Sequence, residues 1–161
     1  MPSAAAGVGC LLGGWFSSYL VRREFSIDFS RKLALGMSAA CMPFIVLVPY
    51  VPVSWAILLF CLAYFGQQSW STLVMVLPID LFPSSVVGSV AGLVGFGGAM
   101  GGIAFGELVG YMLDHKFGYV AVFGIAATLH IAAFLIILAT VPLVLPLLEQ
   151  KPRTEAALQT G

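Results

Sequence analysis

The chain has 161 residues, of which 60% are hydrophobic and 9% charged, with a mean hydropathy of +1.04. That balance excludes an ordinary water-soluble domain, in which about a quarter of residues are charged. Seven basic residues offset seven acidic ones, so there is no net field to hold a polyanion and no basic stripe interleaved with exposed aromatics, and nucleic acid is excluded as a partner.

Five apolar runs are each long enough to cross a hydrocarbon core of about 30 Å, which takes about 20 helical residues. They lie at 2–20, 33–51, 54–78, 85–113 and 119–148, with a polar tail at 149–161. The expected fold is all-α, a polytopic membrane helix bundle. The first run has no basic residue before Arg22 and so lacks the charged front of a secretory signal. Gly7-Val8-Gly9-Cys10 faintly resembles a lipoprotein cleavage site but reads better as helix. Cys10, Cys41 and Cys61 are odd in number and sit in apolar runs, where cysteine serves as a small hydrophobe.

Arg22, Arg23, Arg31 and Lys32 fall between the first two runs, on the same side of five crossings as Lys151 and Arg153 in the tail; Lys116 falls opposite. Cytoplasmic loops collect Lys and Arg, so the C-terminus is expected inside and the N-terminus outside. Tyr50, Trp55, Tyr111 and Tyr119 then lie near the outer interface, where amphipathic rings are favoured. Pro152 discourages further helix in the tail, which is expected to fray.

The third run carries polar groups at mid-depth. Tyr64, Gln67, Gln68 and Ser71 recur at helical spacing on one face, and amides are costly to expose to lipid. Hydrogen bonding between helices is one reading. A face lining a solute path is the other, and the clustering of so many donors and acceptors favours it.

In the fourth run Gly98, Gly102, Gly106 and Gly110 recur every four residues, with Gly88 and Gly92 at the same interval. Small residues so spaced let another helix approach closely, so this helix is expected to be packed. A nucleotide loop is excluded at Gly95-Phe96-Gly97-Gly98, since no strand precedes it and no Lys-Ser/Thr pair follows.

Glu107 and His130 are ionisable groups within the runs. Glu107 lies toward the outer end of its helix, where solvation or a structural hydrogen bond competes with a role in coupling; His130 stands alone and reads as structural. No Ser/His/Asp set, carboxylate pair or metal cluster can be assembled, so no enzyme, cofactor or metal is expected.

Gly13-Gly14-Trp15-Phe16-Ser17-Ser18-Tyr19-Leu20-Val21-Arg22-Arg23 resembles the cytoplasmic signature of the major facilitator superfamily in its second-half copy. Phe65-Gly66-Gln67-Gln68-Ser69-Trp70-Ser71, Asp80-Leu81-Phe82-Pro83, the run 88–102, and Gly110-Tyr111-Met112-Leu113-Asp114 together resemble its anion:cation symporter branch of hexuronate and galactonate carriers. The resemblance covers 2–148. It implies helices eight to twelve of a twelve-helix carrier, with the tenth lining a central cavity, so that Tyr64, Gln67, Gln68, Trp70 and Ser71 become candidate substrate contacts. It makes His130 peripheral. Gly14, Ser18, Arg22, Arg23 and Asp80 fall at the expected cytoplasmic gate, but Ser18 and Tyr19 stand where the family has an acidic residue followed by a basic one.

The resemblance implies part of a secondary active transporter for a small organic anion, such as a sugar acid, coupled to H+ or Na+ and placed in a bacterial inner membrane. The fragment alone is not expected to transport, because the N-terminal half is missing. The alternative is a small membrane assembly protein or a half-transporter needing a partner chain.

Overall fold

In the computed structural model, residues 2–141 and 144 are described. Among these residues the chain forms five long helices: α1 (Pro2–Arg22), α2 (Ile27–Ala40), α3 (Val53–Leu81), α4 (Ser84–Asp114) and α5 (Gly118–Thr140). A 3-10 segment, Pro43–Tyr50, continues α2 and completes the second crossing. All five spans are long and apolar enough to cross a bilayer, and the protein is an integral membrane protein.

The helix limits differ from those expected in ways that capping and proline explain. The second helix begins at Ile27, not at residue 33, because the Ser26 hydroxyl accepts from the Phe29 N–H at 3.2 Å and Asp28 sits in the first turn, where negative charge is favoured. Arg31 and Lys32 therefore belong to the helix and not to the loop before it. The same helix stops at Ala40, since Pro43 has no N–H to continue the α-helical pattern and the chain tightens to 3-10 geometry. The third helix runs through Pro78 to Leu81, and ends where Phe82, extended ahead of Pro83, leaves the helical region. The fifth ends at Thr140 and not at residue 148, because Val141 precedes Pro142. Apart from Val144, the rest of the expected fifth helix, 142–143 and 145–148, and the tail 149–161 lie outside the described residues.

Two close helix contacts organise the bundle. Gly9 and Gly13 of α1 lie directly on α3: a Cβ at Gly9 would strike the Phe65 carbonyl, and one at Gly13 the Ser69 side chain. Gly66 of α3 meets α2, where a Cβ would come within 2.7 Å of Cys41 Cβ and 2.9 Å of the Ser38 carbonyl oxygen. At the meeting point of all three, the buried Ser38 and Ser69 hydroxyls lie 2.7 Å apart. Ser38 donates to the Ala34 carbonyl at 2.9 Å, so Ser69 donates to Ser38. Leu35 and Leu73 are fully buried beside this contact and form a core with Ala34, Leu77 and Val144.

Asp28 ties the segment after α5 to this core. Its Oδ1 accepts from the Val144 N–H at 2.9 Å and pairs with Lys32 Nζ at 2.7 Å. Asp28→Ala is expected to speed amide exchange at Val144 by about tenfold or more, since bonds to a charged acceptor are among the stronger ones; hydrogen exchange in detergent micelles checks this.

Candidate functional site

Close packing of α1 and α2 on one side of α3 decides what its other side presents. Phe65, Gly66 and Ser69 turn toward the bundle, whereas Tyr64, Gln67, Gln68 and Ser71 are exposed on the opposite face. Gln67 and Ser71, with Trp70, Val74 and Met75, form one wall of an open cavity of about 340 Å³; Val94, Gly95 and Gly98 of α4 form the other. A Cβ at Gly95 would make ordinary contact with Met75 Cε, at 3.5 Å. Tyr64 and Gln67 border a second, smaller hollow of about 130 Å³ with Met42, Ile45 and Ala63. Gln68 is exposed but lines neither space, and its carbonyl accepts from the Thr72 hydroxyl at 2.9 Å.

Trp70 occupies a corner of the larger cavity and is backed by α5. Its ring meets His130 edge-on, with centroids 5.7 Å apart at 72°. His130, which spacing alone left solitary, thus stands directly behind a wall residue of the cavity. Its Nδ1 is buried without a well-formed hydrogen bond, and the Ala126 carbonyl one turn earlier is the backbone group within its reach.

Among the described residues no charged side chain borders either space. The walls offer the Gln67 amide, the Ser71 and Tyr64 hydroxyls, the Trp70 indole and apolar surface. Such a lining can recognise hydroxyl groups and stack on the apolar face of a ring or carbon chain, but it cannot neutralise a carboxylate.

Near the other end of α3 lies a second polar cluster. Arg31 Nε donates to Asp80 Oδ2 at 2.7 Å, its NH2 group lies 3.4 Å from Asp80 Oδ1, and its NH1 group donates to the Ser17 hydroxyl at 2.8 Å. One guanidinium thereby links α1, α2 and α3. Ser17 is fully buried, and the two charged side chains are only 13% and 16% exposed. The expected runs leave Asp80 between the third and fourth helices; it lies instead in the last turn of α3, with its carboxylate on Arg31. Arg31 itself escaped sequence reasoning, because it read as one more loop cation. The signal was the Ser26 and Asp28 pair, which starts the helix early enough to carry Arg31 inside.

The other residues expected at the gate are spread around the end of α1. Gly14 faces Thr72 of α3, with a Cβ there at 3.7 Å from its methyl group. Ser18, Arg22 and Arg23 are exposed. Arg23 Nε donates to the Tyr19 hydroxyl at 2.9 Å, and its guanidinium lies 5.2 Å from the Tyr19 ring centre.

Glu107 is exposed on α4. Gly98, Gly102, Gly106 and Gly110, expected against a neighbouring helix, have no atom of another element within 4 Å of a built Cβ among the described residues, and the same holds for Gly88 and Gly92. Among the described residues the glycines that admit close neighbours are Gly9, Gly13 and Gly66, with Gly36 meeting the Phe134 ring at 3.0 Å. The spacing of four from Gly9 to Gly13 to Ser17 carried that signal in α1.

Comparison with known proteins agrees with this architecture. The chain is 34% identical to the D-galactonate transporter of Escherichia coli strain CFT073 over 113 residues, 70% of this chain and 26% of the relative. It is 29% identical to the hexuronate transporter of E. coli K12 over 167 residues, 99% of this chain and 36% of the relative. Over most of its length the chain is thus similar to part of bacterial sugar-acid transporters. A probable galactarate/D-glucarate transporter of E. coli K12 is 27% identical over 145 residues, 88% of this chain and 32% of the relative. No family model matches the chain. It spans between 26% and 36% of the length of these relatives.

Proposed function

We propose that this chain supplies five helices, equivalent to the eighth through twelfth, of a secondary transporter for a small sugar acid. The observation that carries this reading is the open cavity between α3 and α4, walled by Gln67, Trp70 and Ser71. The complete carrier works by alternating access of two halves about a mid-membrane site, and the missing N-terminal half closes the cavity. Division of labour follows from the lining. The neutral Gln67 amide and the Ser71 hydroxyl read the hydroxyl groups of the solute, Trp70 packs against its carbon skeleton, and cationic groups of the missing half meet the carboxylate. A cation, H+ or Na+, drives uptake, and Glu107 is the candidate within this chain for coupling to it.

The gate lies at the end of the bundle where Gly14, Ser18, Arg22, Arg23 and Asp80 gather, with Arg31 holding Asp80. The carrier sits in a bacterial inner membrane with its C-terminus cytoplasmic, as the placement of Arg22, Arg23, Arg31 and Lys32 favours. The exposed glycine face of α4 supports a second reading, in which the chain is a half-transporter or assembly protein that functions only with a partner chain.

Proteoliposomes holding the chain joined to a first half test the reading, with a panel of galactonate, glucuronate and glucarate, with and without a proton gradient. Gradient-driven uptake of one of these acids is expected. Gln67→Leu with Ser71→Ala is expected to lower it by about a hundredfold, as two lost solute hydrogen bonds at roughly tenfold each imply, with insertion intact. Unaltered uptake in the double variant removes these residues from the site. Transport by the 161-residue chain alone removes the need for a second half.

A further inference from the structure

We propose a binding site for one anionic phospholipid on the outer face of α1 and α2. It is independent of the transport reading and requires only that the chain lies in a bilayer. An apolar groove of about 250 Å³ runs between these helices, walled by Leu12, Trp15, Phe16, Met37 and Phe65. Its polar floor groups, the Ser38 and Ser69 hydroxyls, are bonded to each other at 2.7 Å. The groove therefore offers packing surface and little polar recognition, which suits an acyl chain.

Trp15 borders both this groove and a small cleft of about 50 Å³ that it shares with Ser18, Tyr19 and Arg22. The two spaces thus adjoin at one side chain. Trp15 stacks on Tyr19 with ring centres 5.4 Å apart, and the Arg23 guanidinium lies over Tyr19. An aromatic and cationic ladder therefore rises from the groove to the end of the helix. From Leu12 to Arg22 the helix climbs about 15 Å at about 1.5 Å per residue, the depth of one leaflet of a core about 30 Å thick. A lipid whose phosphate sits at Arg22 places its chain along Leu12 and Phe16.

Charge selects the headgroup. Among the described residues neither Arg22 nor Arg23 pairs with a carboxylate, and both are exposed. A guanidinium holds a phosphate through two parallel N–H bonds, and basic pockets at helix ends bind anionic headgroups. Phosphatidylglycerol, with no ammonium group to oppose the arginines, fits better than a zwitterionic lipid.

The test uses the whole chain with Trp55→Phe and Trp70→Phe, so that Trp15 is the sole fluorophore, in phosphatidylcholine nanodiscs. A small equal fraction of brominated phosphatidylglycerol or brominated phosphatidylcholine is added. Brominated phosphatidylglycerol is expected to quench Trp15 with an apparent preference of about tenfold, as two arginines near the surface imply. Arg22→Gln with Arg23→Gln is expected to abolish the preference, and excess inorganic phosphate to leave it unchanged. Equal quenching by the two lipids overturns the site, and loss of the preference on adding phosphate reassigns it to a free anion. If the tryptophan replacements disturb folding, native mass spectrometry of the unaltered chain decides: retention of phosphatidylglycerol over phosphatidylcholine supports the site, and equal retention overturns it.

Discussion

Replacing Asp80 with alanine is expected to destabilise the bundle by about 3–5 kcal/mol, because it strands the Arg31 guanidinium in a largely buried position. Arg31 has its Nε on Asp80 at 2.7 Å and its NH1 group on Ser17, a residue with no exposed surface. Taking either charge out of water costs several kcal/mol, and the pair recovers that only while both members are present. Arg31→Ala is expected to cost a similar amount, by stranding the carboxylate. The double variant Arg31→Met with Asp80→Leu is expected to be markedly less damaging than either single one, since an apolar pair removes both desolvation penalties. Denaturant titration of the chain in mixed micelles, followed by helical circular dichroism, measures all three. A double variant at least as unstable as the sum of the singles would show that the cluster does not act as a pair.

Gly13→Val is expected to cost about 3 kcal/mol, the upper end for overpacking a close contact. The space a side chain would need is already filled by Ser69, and the neighbouring α3 backbone cannot retreat without pulling Gly66 from Ser38 and Cys41. The contrast is Gly102→Ala, which meets no neighbour within 4 Å among the described residues. In the chain alone it is expected to stabilise α4 by about 0.5–1 kcal/mol, because alanine restrains the unfolded backbone more than glycine does. In a completed carrier the same change is expected to lose that gain where a second helix packs on the stripe. The sign of Gly102→Ala with and without the first half therefore reports whether α4 has a partner outside this chain.

Much of the polar face of α3 was legible in advance. Tyr64, Gln67, Gln68 and Ser71 share a side because helical spacing alone sets it, and all four are exposed opposite the bundle. That Gln67 and Ser71 border a cavity while Gln68 does not was beyond reach, since it depends on where α4 crosses. The glycine pattern shows the same limit more sharply. Gly9 and Gly13 on α1 and Gly98 and Gly102 on α4 have identical spacing, yet the first pair seats against α3 and the second faces outward. A repeat of small residues reports that a helix can be approached closely, not which helix arrives.

The membrane, the five crossings and the antiparallel order were determined by the amino-acid sequence itself, because an apolar run of sufficient length has no stable alternative to a membrane helix and needs no partner to declare it. Only the tertiary structure decided that Arg31 reaches Asp80, 49 positions away, that His130 backs Trp70, and that Ser69 turns inward to Ser38. Periodicity assigns each side chain to a face of its own helix. The choice of which faces meet is made by shape and hydrogen bonding between helices, and neither is written in the spacing of residues along one of them.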